Sequence, residues 1–360
     1  MQWSTLSDTG RIGKSAMSAN SLWKGGRALI TLDYELFFGK STGTVARCLV
    51  EPLEYLEKRL TGSNVRACLF VDAAYICRLR SLMGKHRRLA RDFDTIMSHL
   101  SRLSNAGHDI QLHLHPHWHD SHYDGEKWLL DKDHYRLHTL SPAGQSELVG
   151  RCKSLLESVS GRPVFAYRAG GWCLQPFGEI SKALRCNDIW LDSTVYKGGF
   201  SDEPGRFYDF RHLPPRPWWR FGDDPCKEDV AGSFVELPIS SMRLSPGFYW
   251  KMATARRAAV SDLTPFGDGA GMRANPRYYL TRLLFGEHSP VSVDGIKSER
   301  LGRAFLESDG DSLFNIMGHP KSLSRYAVDR FADFIGDANV EFVTFQDLEF
   351  LYPRSKHPAY

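Results

Sequence analysis

Residues 107–118 read GHDIQLHLHPHW, and the rest of the chain is best read outward from them. Ile110 and Leu112 alternate with polar neighbours after the Gly107 turn, which predicts a strand. Pro116 has no N–H to give a ladder and stops that strand near His115. His108, His113, His115, His117, His119 and His122 place six of the fourteen histidines within one short stretch. Neutral imidazole offers a lone pair without the desolvation cost of a charge, so such a cluster points to a metal site. His113 lies on the last strand residues and His117 four further on, past the bend. These two imidazoles are expected to converge on one ion.

Before this stretch, Ala28–Asp33 (ALITLD) is a continuous apolar run ending in a carboxylate, the pattern of a buried parallel strand. Val45, Leu49, Leu53, Leu56 and Leu60 then give a helix face, Arg66–Val71 a strand, and Leu89 to Leu103 a second helix. After it come a polar loop (118–140) and a helix capped by Ser141-Pro142 and closed by Gly161. Strands follow at Val164–Arg168, Ile189–Asp192, Phe234–Pro238, Leu313–Met317 and Val340–Phe345. Residues 197–232 read as an irregular insertion, and within 240–300 only Tyr278–Phe285 reads as helix. About eight strands alternating with helices, with no clean linker, predict right-handed crossovers around a parallel sheet closed into a single barrel. Residues 1–26 are expected to be a loose arm and 353–360 a tail.

With 42% hydrophobic residues in 360, the chain can bury a large core. Its net charge of +4 is small and dispersed, and no basic stripe with interleaved aromatics argues for nucleic acid. No segment is apolar over the roughly 18–20 residues that a membrane span requires. The polar N-terminus has no leader-like apolar core, so the protein is expected to be cytoplasmic. The seven cysteines form no Cys-x-x-Cys pair and several fall on apolar faces, so buried free thiols are expected.

In α/β barrels chemistry collects at the C-terminal strand ends. Those ends carry Asp33 and Glu35, then His113 to His117, then Arg168, Asp192 and His319. Asp33 and Glu35 are two apart, so on an extended strand both carboxylates face one way. One carboxylate with two imidazoles makes a three-ligand site with room for water, and the other carboxylate is free to act as base. His319, in IMGHP, is placed for a general acid.

This series resembles the polysaccharide deacetylases of the NodB-homology type, carbohydrate esterase family 4, in the branch found in bacterial surface-polysaccharide (O-antigen) loci. The resemblance covers about residues 27–350. That family's Thr-Phe-Asp-Asp-Gly is met by Thr31-Leu32-Asp33-Tyr34-Glu35, its His-Ser/Thr-x-x-His by His113 and His117 after GHDI, its Arg-x-Pro-Tyr by Arg168 alone, and its Leu-x-x-His by Ile316 to His319. The resemblance implies a distorted (β/α)7-type barrel with long loops over the C-terminal face of the strands. It implies a metal-dependent hydrolase that removes an N-acetyl or similar acyl group from an amino sugar of a polysaccharide or its lipid- or nucleotide-linked precursor. Asp33 then falls on the base and Glu35, with His113 and His117, on the metal ligands. Arg168 pairs with the base, the Gly171 N–H serves the oxyanion, and His319 protonates the leaving amine. The ion implied is divalent, Zn²⁺ first, with Mn²⁺, Fe²⁺, Co²⁺ and Ni²⁺ accepted by the same donors. Trp172, Asp192, Trp219 and Arg220 are expected on the substrate side, with Trp218 and Arg216 beside them in the insertion.

Two other readings compete. His113-Leu114-His115 is also the His-x-His pair of other metal-dependent amidohydrolases, although no metal-bridging lysine stands out on a later strand. A saccharide-binding relative without turnover would fit the altered first and third motifs, but such a protein needs neither Asp33 nor His319.

Overall fold

Strand β1, Arg27–Tyr34, is buried on both faces from Ala28 onward, as a run of alternating Leu, Ile and Thr must be when strands flank it and helices cover it. The computed structural model describes residues 26–352 except 204, 258–260, 273–274, 309–312 and 339. The expected tail, and all but Gly26 of the expected arm, lie outside the described residues.

Among the described residues eight strands of one sheet run parallel: β1, β2 (Cys68–Asp72), β3 (Asp109–Leu114), β4 (Ala166–Ala169), β5 (Leu191–Asp192), β9 (Phe234–Glu236), β10 (Phe314–Gly318) and the short β11 (Glu341–Phe342). Between β5 and β9 the chain forms a hairpin of β6 (Gly199–Glu203) and β7 (Arg206–Phe210), then β8 (Trp219–Phe221). The order is β8-β9-β5-β4-β3-β2-β1-β10, with β8 antiparallel at the edge, and β11 (Glu341–Phe342) pairs with the first residues of β1. No ladder joins β9 to β10. The gap is closed by irregular backbone: Ser240 and Asn315 exchange hydrogen bonds, and residues 291–293 bond to Ser240 and Met317. The curled sheet is therefore a (β/α)7-type barrel whose last seam is made of loops.

Helices α1 (Glu51–Arg59), α2 (Ala73–Leu82), α3 (Arg87–Asn105), α4 (Pro142–Ser160) and α5 (Gly178–Arg185) cover the outside of the first strands. Ser141 caps α4 by accepting the Gly144 N–H, and Gly161 ends it in the left-handed conformation, as the sequence predicts. Helix α6 (Pro246–Arg257) escapes a reading by periodicity, because it buries the adjacent pair Phe248 and Tyr249 in a small satellite core with Leu244 and Ile296. Helix α7 (Pro276–Phe285) falls where the sequence places it. Inside the sheet, Leu29, Ala166, Leu191 and Val235 fill the strand starts, and Thr31, Asp33, His113 and Arg168 follow toward the strand ends. No helix among the described residues is long and apolar enough to cross a membrane.

Asp192 is not where a substrate residue would be. Leu191 belongs to the inner core, so strand alternation turns Asp192 to the helix-facing side, where Thr194 donates to it through N–H and hydroxyl. Its register partner on β9 is Glu236, neither of whose oxygens has a hydrogen-bond donor. Burial first, then mutual repulsion, pushes Glu236 well above the usual carboxylate range. Burial likewise pushes Asp192 up to about 6. A carboxyl with a raised pKa in the folded state stabilises below its unfolded value, and that stability is lost as pH rises through the folded value. Glu236→Gln should therefore raise the melting temperature at pH 8 by a few degrees, the scale of about 1–2 kcal/mol in a domain this large. At pH 4.5 the two proteins should melt together. Differential scanning calorimetry at the two pH values measures this, and equal shifts at both would refute it.

Candidate metal centre

Parallel register brings the site together. Asp72 on β2, His113 on β3 and Arg168 on β4 lie in one row, and the pairing of Leu32 with Gly318 sets His319 beside Asp33. Glu35 lies just past the end of β1, with its Oε2 at 3.1 Å from His113 Nε2 and 2.6 Å from His115 Nε2. One donor atom from each of these three buried residues falls within 4.8 Å of the other two. His113 Nδ1 lies 2.9 Å from the Arg168 carbonyl, to which its N–H donates, so Nε2 is the ring nitrogen turned toward Glu35. Two imidazole nitrogens and a carboxylate oxygen converging in a dry cleft suit a cation, which would displace any proton between them. A carboxylate oxygen with two imidazole nitrogens is the donor set of a three-ligand zinc site, and Mn²⁺, Fe²⁺, Co²⁺ and Ni²⁺ accept it too.

Around the cluster sits a ring of charged partners. Arg168, only 1% exposed, crosses the barrel interior. It donates to Asp33 Oδ1 at 2.7 Å, to the Ser193 carbonyl and to the Thr31 hydroxyl, with its guanidinium 4.1 Å over the Phe70 ring. Asp33 Oδ2 is left on the other side, 3.7 Å from His319 Nε2. His319 is itself held by Asp294, which accepts both its backbone N–H and its Nδ1–H at 2.8 Å. Lys321 donates to Glu35 Oε1 at 2.9 Å and to the Leu36 carbonyl.

The protonation pattern follows from these contacts. Burial alone would raise Glu35, but Lys321, His115 and His113 together hold it well below the usual carboxylate range. Burial lowers His319 too, yet Asp294 and then Asp33 and Glu35 outweigh it, so its pKa is raised. Burial takes His115 down to about 4; it acts to lower His113 too, but Asp33 and Glu35 outweigh it and lift that imidazole to about 9. Asp72, pushed up to about 7 by burial, accepts the His115 N–H and the Trp118 indole N–H.

Asp33, Glu35, His113, Arg168 and His319 are thus brought together as the sequence leads one to expect. His117 is not part of the cluster. The backbone stays extended through His115, so the two-residue period keeps His113 and His115 on one face. The tight turn Pro116–His119 then swings His117 between the Trp118 and Tyr135 rings, where neither of its nitrogens finds a partner. Gly170 and Gly171 have a use of their own. A Cβ on Gly170 would stand 2.7 Å from the His115 ring, and one on Gly171, at φ +61°, 2.6 Å from the Tyr135 hydroxyl. Only glycine lets this turn close over His115.

The insertion is also corrected in detail. Trp219 is buried with its indole N–H on the Pro225 carbonyl, and Arg220 is spent on the Gly232 carbonyl. Neither is free for substrate. A cavity of about 640 Å³ instead opens beside the cluster, walled by the β6–β7 hairpin, Tyr135 and the start of α7. Trp172 stands behind this wall, under the guanidinium of Arg206. Sequence reading misses Asp294 and Lys321 as well as Tyr135 and Arg206. The signals were there for two of them: VSVD is a short apolar run ending in a carboxylate, and Lys321 follows His319 by two.

No protein-family model and no curated protein sequence matches the chain. Solved structures with similar folds include a Mycobacterium smegmatis protein whose name proposes a polysaccharide deacetylase, at TM-score 0.46 and 14% identity, covering 93% of this chain and 96% of that one. The Bc1960 peptidoglycan N-acetylglucosamine deacetylase is similar at TM-score 0.41 and 11% identity, over 93% and 92%. The 4-alpha-glucanotransferase of Thermococcus litoralis is similar at TM-score 0.46 and 10% identity, over 90% of this chain and 40% of that one.

The geometry makes a specific statement about ligands. Glu35→Gln, His113→Ala and His115→Ala should each weaken zinc binding at least about 100-fold, beyond what loss of an outer partner costs, while His117→Ala should cost less than about 10-fold. Titration calorimetry against Zn²⁺ distinguishes the four. Retention of zinc by His115→Ala with loss in His117→Ala would restore the His-x-x-x-His pairing.

Proposed function

We propose that the protein is a metal-dependent hydrolase that removes an N-acetyl or related acyl group from an amino sugar of a saccharide. The observation that carries this reading is the arrangement of Asp33 and His319 on the cluster's rim, each oriented by a partner of opposite charge, Arg168 and Asp294. A structural metal site needs no such pair.

Glu35, His113 and His115 would hold the ion, which we assign as zinc. When bound, it supplies Lewis-acid polarisation of the amide carbonyl and a lowered pKa for water. The remaining steps belong to the chain. Arg168 occupies one oxygen of Asp33, which leaves the other to take a proton from the attacking water. That water adds to the acyl carbon, and we assign the Gly171 N–H as a donor to the oxyanion. The C–N bond then breaks as His319, held by Asp294 with its Nε2 toward the cluster, gives its proton to the departing nitrogen. The products are a carboxylic acid and a free amine. The cluster's burial keeps bulk water from competing for these polar groups.

Asp33→Asn should leave zinc bound and lower kcat by about 10²–10⁴-fold, the usual worth of a general base. Asp294→Asn should also keep zinc but lower kcat less, because His319 remains and only its orientation and charge partner are lost. Acetate release from a panel of N-acetylated amino sugars and oligosaccharides, with metal content measured on the same samples, tests both. Zinc-loaded wild type that released acetate from no member, yet bound them, would establish a saccharide-binding protein instead.

A further inference from the structure

Arg206, half-buried, stands apart from the buried Arg168. Arg168 spends its guanidinium on Asp33, Thr31 and Ser193, whereas Arg206 uses only Nε, donating to the Gly171 carbonyl at 3.3 Å. Its charge lies 5.3 Å over the Trp172 ring and 5.8 Å over the Tyr208 ring, which fix the guanidinium plane. Among the described residues no carboxylate pairs with it, and its Nη groups make no hydrogen bond. Arg206 lines the 640 Å³ cavity, together with Lys132 and Arg277. Lys132 donates to the Phe38 carbonyl and, like Arg277, has no ion-pair partner among the described residues. Asp202 and Glu203 also line the cavity, yet neither lies within ion-pair distance of these three cations, even though Glu203 is the register partner of Arg206.

A planar guanidinium with its fork unspent and its faces covered by aromatic rings is built for two oxygens of a carboxylate or phosphate. A protein that needed the charge only for folding would pair it. The cavity adjoins the metal centre through Tyr135, whose ring is 5.8 Å from that of His115. Arg206 itself touches the Gly171 turn that closes over the cluster. An anion held here would thus belong to the molecule whose acyl group lies at the cluster.

We infer that this cavity is an anion subsite, with Arg206 as its anchor and Lys132 as its second cation, and that the substrate saccharide carries an oxyanionic group. This rests on the deacetylase reading above and narrows it to acidic saccharides. The group is either a sugar carboxylate or the phosphate of a carrier.

The test is binding to the full-length, metal-free chain, so that no bound ion recruits the anion. Titration calorimetry is run with inorganic pyrophosphate, with D-glucuronate and with neutral N-acetylglucosamine. Wild type should bind at least one anion, Arg206→Gln should weaken it about 10–100-fold, the worth of a charge-assisted fork, and Lys132→Gln should weaken it several-fold. Arg303→Gln, on an exposed ion pair with Glu307, should change nothing. Preference for pyrophosphate assigns a phosphate-linked carrier, and preference for glucuronate a uronic acid. Should circular dichroism show Arg206→Gln unfolded, Lys132→Gln decides. Absence of anion binding by wild type, or equal binding by wild type and both variants, overturns the subsite. Hydrolysis of neutral N-acetyl sugars without anion binding would remove the subsite alone. Anion binding by a zinc-loaded protein that hydrolyses no N-acyl saccharide would remove the deacetylase reading alone.

Discussion

Inside the barrel a guanidinium and a carboxylate meet at 2.7 Å with almost no access to water, and the rest of the site is arranged around that pair. Neither Arg168 nor Asp33 could be buried alone, because a lone charge in such a place costs several kcal/mol. Arg168 therefore ties β4 to β1 through Asp33 and Thr31, and to β5 through Ser193. Removing either partner would cost about 3–5 kcal/mol, a large share of the roughly 5–15 kcal/mol that holds a typical domain folded. The same bond disposes of one oxygen of Asp33 and leaves the other facing His319. A constraint needed for folding thus also sets the direction of the chemistry.

Charge balance extends this logic outward. Glu35 is met by Lys321 on one oxygen and by two imidazoles on the other, while Asp294 meets His319. Each acid has a partner of the opposite sign, so the cluster can be dry without being ruinous to stability. Phe37 and Phe38 lie within 5 Å of the Lys321 ammonium, which adds cation–π attraction where water is excluded. What remains unpaired after this accounting is informative. The three donor atoms of Glu35, His113 and His115 converge on one another, and Arg206, without a carboxylate partner among the described residues, lines an open cavity.

The walls of that cavity come from the least regular parts of the chain. The β6–β7 hairpin and the start of α7 are separated by about seventy residues in sequence, yet they line one cavity. A regular strand at the seam between β9 and β10 would have left no reason for the long excursions between β5 and β10. The apolar plug at the strand starts carries the packing, and the strand ends are free to vary.

Much of the fold was legible from local pattern. The runs ALITLD and RACLFV mark β1 and β2, because a strand buried on both faces is mostly apolar, and the alternation after Gly107 marks β3, one of whose buried faces carries Asp109, Gln111 and His113. Residues at their ends named Asp33, Glu35, His113, Arg168 and His319. His117 was misjudged because its position depends on where extended backbone gives way to a turn, a matter of one residue that packing of Trp118 and Tyr135 settles. Trp219 and Arg220 were misjudged because composition says which groups can meet a sugar, not which are consumed by a nearby carbonyl. Asp192 failed on parity, since a strand end carries side chains to both faces. The sequence by itself determined the parallel barrel and the acidic and imidazole content of its strand ends, because periodicity and burial are local. Only the tertiary structure decided which imidazole joins Glu35, that Asp294 and Lys321 stand beside them, and that Arg206 is left with its charge unspent, because those are contacts between residues far apart in the chain.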